Sequence, residues 1–350
     1  MYSVLLLDHL LRFAAAGVAA LAIIVLLRAR RRERTHALVA GFLACLVAYL
    51  VLSAPGAQGL PGALRLPLLA LATVAPGMLW LAARGLFIDD SRLSAAVLSP
   101  LLGLAALGLS AFLGKETQPG TAALASYSHK AVAIVLYANA LWCAWSGYGA
   151  DLIEARRRFR LWFVGGAALI GLAIAVAEGI LRGHAVPPQL EMLKSAAILI
   201  PTLLLAAWAF ELKTGWFSGV RPAAPPDMPA GERQLLAALA QAMDGEHAYR
   251  EPGLTIAALA RRLKAPETLL RRVINGRLGY RNFNTFLNER RLEEARAALC
   301  DPARARVPVL TIALESGFAS IGPFNRAFRQ TFSCSPTEFR RAAESPKAQI

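Results

Sequence analysis

The residues with the most definite chemical reach lie in the last third of the chain. In 266–276, Leu270, Val273 and Ile274 make an apolar side and leave Thr268, Arg271 and Arg272 on the other. In 321–332, Phe324 and Phe328 at i, i+4 make the apolar side and leave Asn325, Arg326 and Arg329 outside. Arginine can hydrogen-bond guanine in bidentate fashion, and asparagine can do the same with adenine, so both faces have base-reading chemistry. A second polar set interrupts apolar chain. Glu178 and Arg182, four residues apart, share a helix face. Glu191 and Lys194 follow at the same predicted level, with His184 between. Ionisable residues in such surroundings point to a ligand site, and side chains reaching for the interface are the plain alternative. HExxH, GxSxG, a phosphate-binding P-loop and paired carboxylates within the apolar runs are all missing, so no enzyme activity is expected. Cys45, Cys143, Cys300 and Cys334 form no CxxC and have no His at ligand spacing. They read as reduced structural thiols, with no metal and no cofactor expected.

Each basic face belongs to the second of two short helices. Thr255 is a good N-cap for a helix with Ile256, Leu259, Ala260 and Leu263 on one face. Lys264 and Ala265 break it, and Pro266 suits the first turn of the next. The pattern returns in 309–315, where Ile312 and Leu314 are apolar, Gly317 and Phe318 make the turn, and Ser320 caps 321–332. A helix over 284–299, about 24 Å long at 1.5 Å per residue, joins the two pairs. An amphipathic helix over 232–243, carrying Leu235, Leu236, Leu239 and Met243, precedes them.

Taken together, GFASIGPFNRAFRQTFSCSPTEFR (317–340) resembles the signature of AraC-type transcription regulators, and NFNTFLNERRLEEARAAL (282–299) is similar to that family's connecting helix. The resemblance covers roughly 246–341. Ser333 departs from it, standing where the family usually has Gly. The resemblance implies two helix-turn-helix units on one stiff helix, with each second helix entering a successive major groove. It places Thr268, Arg271 and Arg272 at base-facing positions of the first unit. Ile321, Asn325 and Arg326, beside the capping Ser320, take those positions in the second. Arg272 and Arg326 are alternatively phosphate contacts that fix position without reading sequence. Double-stranded DNA as partner and self-association into a homodimer follow from the same resemblance.

The rest of the chain is of another kind. Hydrophobic residues make up 56% of the sequence and charged ones 17%, against about 25% charged in soluble domains. The net charge is +15, which suits a membrane surface, a polyanion or both. Seven apolar stretches, 4–27, 36–54, 64–86, 93–113, 130–150, 161–181 and 190–212, are long enough to span hydrocarbon, which takes about 20 helical residues each. The first carries Asp8, His9 and Arg12 near its start and is followed, not preceded, by arginines, so it reads as a retained helix rather than a signal peptide. Arginines crowd the first, third and fifth connections (Arg28 to Arg34; Arg84 and Arg92; Arg156 to Arg160), while the even ones hold only Lys115 and Arg182. Positive loops stay in the cytoplasm, which puts the N-terminus outside and the C-terminus inside. Pro76, Pro100 and Pro201 are expected to kink their helices, and Asn139, Trp142 and Trp145 read as packing and interfacial residues.

The expected fold is all-α: a seven-helix transmembrane bundle (1–217), a Pro-rich linker (218–230) and a cytoplasmic AraC-like two-unit helix-turn-helix domain (231–350). The expected function is a one-component transcription regulator of the bacterial inner membrane, whose bundle senses a small-molecule or protein signal. The partners are the lipid bilayer and double-stranded DNA. Two alternatives stand beside it: a membrane-held regulator answering to a protein partner, and a transporter-like protein with an appended DNA-binding domain.

Overall fold

A computed structural model of the chain describes residues 2–28, 34–88, 94–180, 186–211 and 229–344. Among them every regular element is helical, and the one β feature is an isolated antiparallel bridge between Asp151 and Asn282. The chain divides into two units. One takes Met1–Tyr148 and Arg158–Val220, the other Gly149–Arg157 and Arg221–Ile350. The second unit is therefore not purely C-terminal, as the sequence divides it, but includes a short piece from the middle of the chain. The proline-rich linker falls outside the described residues up to 228, as do Arg30, Arg31, Arg32, Arg92, Arg182 and His184.

The first unit comprises α1 (Tyr2–Leu27), α2 (Arg34–Leu52), α3 (Gly62–Thr73), α4 (Ala75–Phe87), α5 (Ala95–Thr117), α6 (Pro119–Trp145), the last two residues of α7 (Glu154–Phe159), α8 (Gly166–Ile180) and α9 (Pro188–Glu211). These follow the seven apolar stretches in order without being seven uniform spans. By length and composition, α1, α2, α5 and α9 are each able to cross a membrane, and α3 with α4 makes a fifth only as a pair bent by 46°. The break at Val74 has a cause: Pro76, at the start of α4, has no N–H to continue the ladder of α3. α6 is long enough but carries His129, Lys130 and Asn139. The expected sixth span, 161–181, holds a π-turn at Arg160–Gly165 followed by the 15-residue α8, with the short α7 just before it. Pro100 and Pro201 lie inside α5 and α9, each of which runs on as one helix. Leu43, Leu79, Leu81, Leu104 and Leu205 fill the interior. Many large apolar residues point outward instead, among them Leu102, Leu124, Trp142, Trp145, Trp162 and Ile180. Asn139 is a packing residue, accepting the Trp80 indole N–H at 2.8 Å.

The second unit holds α10 (Ala230–Ala240), α11 (Ile256–Arg262), α12 (Glu267–Gly276), α13 (Phe283–Cys300), α14 (Val309–Glu315), α15 (Ile321–Phe332) and α16 (Pro336–Glu344). Two cores form, one around Leu239, Met243, Leu259, Leu270, Ile274 and Phe286, the other around Leu292, Leu299, Ile312, Phe318, Phe324 and Phe328. The Thr255 side chain caps α11, accepting from Ala258 N at 3.1 Å, and Lys264 makes the break after it with φ 50. Ser320 sits at the cap position of α15, but its side chain makes no capping bond. The third residue of that helix is Pro323, which lacks the N–H a serine cap would take. Ser333 adopts φ 61 and donates its N–H to Arg329 O at 2.9 Å, so the turn expected of Gly forms with Ser in its place. After it, Ser335 and Glu338 cap each other's N–H at the start of α16.

The two cores are pinned together at one turn. Gly317 has φ 94, and a Cβ there would lie 2.6 Å from the Tyr249 carbonyl oxygen. Arg291 on α13 donates to that same oxygen at 2.6 Å and to Glu251 O at 3.0 Å, with its guanidinium 5.8 Å from the Phe318 ring. Burial pulls its pKa below the ordinary arginine value, yet a guanidinium stays charged at neutral pH.

Candidate nucleic-acid interface

α12 and α15 are the second helices of the two pairs, and their expected DNA-facing residues meet different fates. On α15, Ser320, Ile321 and Arg326 are exposed and Asn325 is half-buried. Among the described residues neither Arg326 nor Asn325 has a side-chain hydrogen bond or ion pair, so both are available to an incoming base or phosphate. On α12, Thr268 is exposed. The Arg272 side chain is 68% exposed and rests on Glu232 at 3.1 Å, an exposed pairing of the kind worth little.

Arg271 departs from expectation. It is 4% exposed. Its Nε donates to Glu267 Oε1 at 2.9 Å, its Nη2 to Gly149 O at 2.8 Å and its Nη1 to the Asp151 carbonyl. The side opposite Leu270 and Ile274 is thus open at Thr268 and Arg272 and covered at Arg271, and the cover is the Gly149–Arg157 piece. Its Leu152 is buried in the first core, its Leu152 N–H donates to Arg281 O at 3.1 Å, and Phe283 N–H donates to Ala150 O at 2.8 Å. Nothing in the local pattern of 266–276 announces this partner, which lies 120 residues earlier.

The second polar set, in the first unit, gathers on Tyr49. The Tyr49 hydroxyl donates to Glu178 Oε1 at 3.0 Å, and Lys194 Nζ lies 5.9 Å from the ring centre. Lys194 pairs with Glu191 at 2.7 Å, and Glu191 meets Arg12 at 3.3 Å. Arg12 is fully buried and pairs with Asp8 at 3.1 Å, and the Ser195 hydroxyl donates to Asp8 at 2.6 Å. Glu178, Glu191 and Lys194 therefore do come together, through Tyr49, whereas the expected Glu178–Arg182 pair lies outside the described residues. Asp8 and Arg12 went unrecognised as part of this set, although their i, i+4 spacing in an apolar helix is a signal for it. Beside Tyr49 lies a cavity of about 160 Å³. Its wall is mostly apolar, with Phe42, Leu79 and Ile174 among the lining, and its polar members are Tyr49, His129, Lys130, Tyr137, Glu178 and Thr202. Lys130 Nζ donates to the Glu178 carbonyl at 2.7 Å, and His129 Nε2 lies 3.0 Å from the Thr73 carbonyl, at the break between α3 and α4. Gly171 lets the Tyr137 ring close on α8, since a Cβ there would sit 2.5 Å from it. Among the described residues no three or more His, Cys, Asp or Glu side chains gather as a metal site would require.

Residues 259–342 match the family described as a helix-turn-helix domain, of AraC type. The match runs from α11 through α16 and takes in both helix pairs and the connecting helix. The match supports a helix-turn-helix DNA-binding domain in the C-terminal part, of the kind found in transcription regulators. No curated protein and no solved structure matches the chain.

Proposed function

We propose that the chain is a membrane-embedded one-component transcription regulator, with its helix-turn-helix domain in the cytoplasm and its N-terminal helices acting as a sensor. The observation that carries the DNA-binding half is the pair of second helices, α12 and α15, held on one rigid connecting helix with Asn325 and Arg326 free. Support for the membrane half comes from the long apolar helices, from the exposed Leu6, Leu10, Leu102, Leu113 and Ile200 on them, and from the outward tryptophans of the neighbouring elements. A soluble surface rarely carries so much contiguous apolar area; in a bilayer these residues meet lipid. The arginine-rich odd connections then orient the chain with its N-terminus outside. A periplasm-active reporter fused after Pro119 should be active, and one fused after Arg158 or at the C-terminus should be silent. The opposite pattern would remove both the orientation and access to DNA.

The cavity beside Tyr49 favours sensing over mere anchoring. Its volume is comparable to the roughly 150 Å³ engineered cavities that admit benzene. Glu178 and Lys130 bring one charge of each sign, so an ionic ligand would leave a charge unpaired in apolar surroundings, which is costly. The chemistry fits a small, mainly apolar molecule with one uncharged polar head. Glu178→Gln should alter the response of a promoter fusion to such molecules, benzyl alcohol among them, and leave expression and DNA affinity unchanged. An unchanged response in Glu178→Gln, Glu191→Gln and Lys194→Met alike would leave these residues only a place at the membrane interface.

A further inference from the structure

The 149–153 segment is held in shape by its own aspartate and held in place by the first helix-turn-helix unit. Asp151 Oδ1 accepts the Ile153 N–H at 3.1 Å, and its Oδ2 pairs with Arg156 Nε at 2.7 Å. Folded this way, the segment aims the Gly149 and Asp151 carbonyls at Arg271 and sinks Leu152 into the core that contains Leu270 and Ile274. A guanidinium has five N–H donors. Nε, Nη1 and Nη2 of Arg271 all donate to protein oxygens, and its burial leaves no space for a base edge. Reading guanine takes two outward donors side by side. Seating of the segment and base reading by Arg271 therefore exclude each other.

We propose that residues 149–153 are a built-in occupant of the first DNA-reading surface, and that they must leave it before α12 enters the major groove. This rests on the DNA-reading function proposed above. The seated state leaves Arg326 and Asn325 of α15 free, so the protein holds DNA weakly through its second helix-turn-helix pair alone until the first pair is released. The chain itself supplies the means of release. α6 ends at Trp145, shortly before Gly149, and the π-turn begins at Arg160, shortly after Arg157. A signal that moves the end of either element pulls directly on the occupant.

The test uses the full chain in lipid nanodiscs with sheared double-stranded DNA at low salt. Asp151→Ala removes the brace inside the segment, and Leu152→Ala removes its apolar anchor. Each should bind DNA about tenfold tighter than the unaltered chain, even though Leu152→Ala lowers the melting temperature. A merely structural Leu152 would lower affinity and stability together. Hydrogen exchange gives the second readout: saturating DNA should speed exchange of the Leu152 and Phe283 amides, which bond to Arg281 O and Ala150 O in the seated state. DNA binding with those two amides as protected as before, or variants that bind no tighter, would overturn the proposal while leaving DNA binding intact. A folded chain that binds no DNA would instead remove the function on which it rests.

Discussion

Arg271 donates from Nη2 to the carbonyl of Gly149 at 2.8 Å, joining residues 122 positions apart. The bond takes an arginine from the middle of the proposed DNA-reading helix α12 and commits it to backbone oxygen. Fifty-four residues further on, Asn325 holds the corresponding position on α15, and neither it nor the neighbouring Arg326 makes such a commitment. Two helix pairs of the same design thus present unequal faces, one partly covered and one open.

The open face gives the most direct mutational contrast. If Arg326 reads a base edge, Arg326→Ala should cost about 1–3 kcal/mol on a selected site and relax preference at one base pair. Arg272, exposed and lightly paired, is expected to act on phosphate. Arg272→Ala should weaken binding evenly across sequences and flatten the salt dependence by about one unit. Titrations against a selected and a scrambled duplex over a salt series separate the two behaviours.

The turn that pins the two cores should tolerate nothing larger than glycine. Gly317→Ala would strain a φ of 94 and drive a methyl into the Tyr249 carbonyl, so a loss of roughly 3 kcal/mol or more is expected. Ser333→Gly is the counterpart. It removes the strain of a left-handed serine, which outweighs the added freedom of the unfolded chain, and should raise stability by about 0.5 kcal/mol. Thermal melts of the two variants should move in opposite directions.

What was legible in the sequence followed from local rules. Thr255, Pro266, Gly317 and the Phe324/Phe328 spacing announce their helices because capping, φ and i, i+4 burial are decided by near neighbours. The Ser320 cap failed for a reason equally local, the missing N–H of Pro323. Ser333 shows the converse, a turn geometry imposed by its surroundings on a residue that does not favour it. The covering of Arg271 and the meeting of Glu178 with Lys194 at Tyr49 were not legible, because each depends on chain far away in sequence. Seven apolar stretches were evident from composition, but composition does not say where Pro76 breaks a helix or where a π-turn divides one.

Glu338 offers a pH test of the cap at the start of α16. The Ser335 N–H and hydroxyl hold its carboxyl below the usual glutamate range. A depressed pKa stabilises the fold above the unfolded value, about 4.3, and that contribution is lost as pH falls through the folded value. Glu338→Ala should therefore melt lower than the unaltered chain at pH 7, and the difference should close as the pH drops below 4.3. A difference that persists unchanged in acid would assign the effect to something other than the carboxylate.

Arg12 tests the buried ion network of the first unit. It is flanked by Asp8 and Glu191, both of which would be left without it. Breaking a buried pair by removing one partner costs about 3–5 kcal/mol. Arg12→Leu should lower stability in nanodiscs by an amount of that order, and adding Asp8→Asn should restore part of it.

Footprinting of the full chain on a selected duplex tests the central claim most directly. At saturating DNA, where the 149–153 segment is displaced, or in the Asp151→Ala variant at any occupancy, two reading helices on one connecting helix should protect two clusters of bases on one face of the duplex, about 10 bp apart, in successive major grooves. Arg326→Ala should erase one cluster and spare the other. A folded chain that protects no bases at low salt, or that protects a single cluster indifferent to Arg326, would contradict the account.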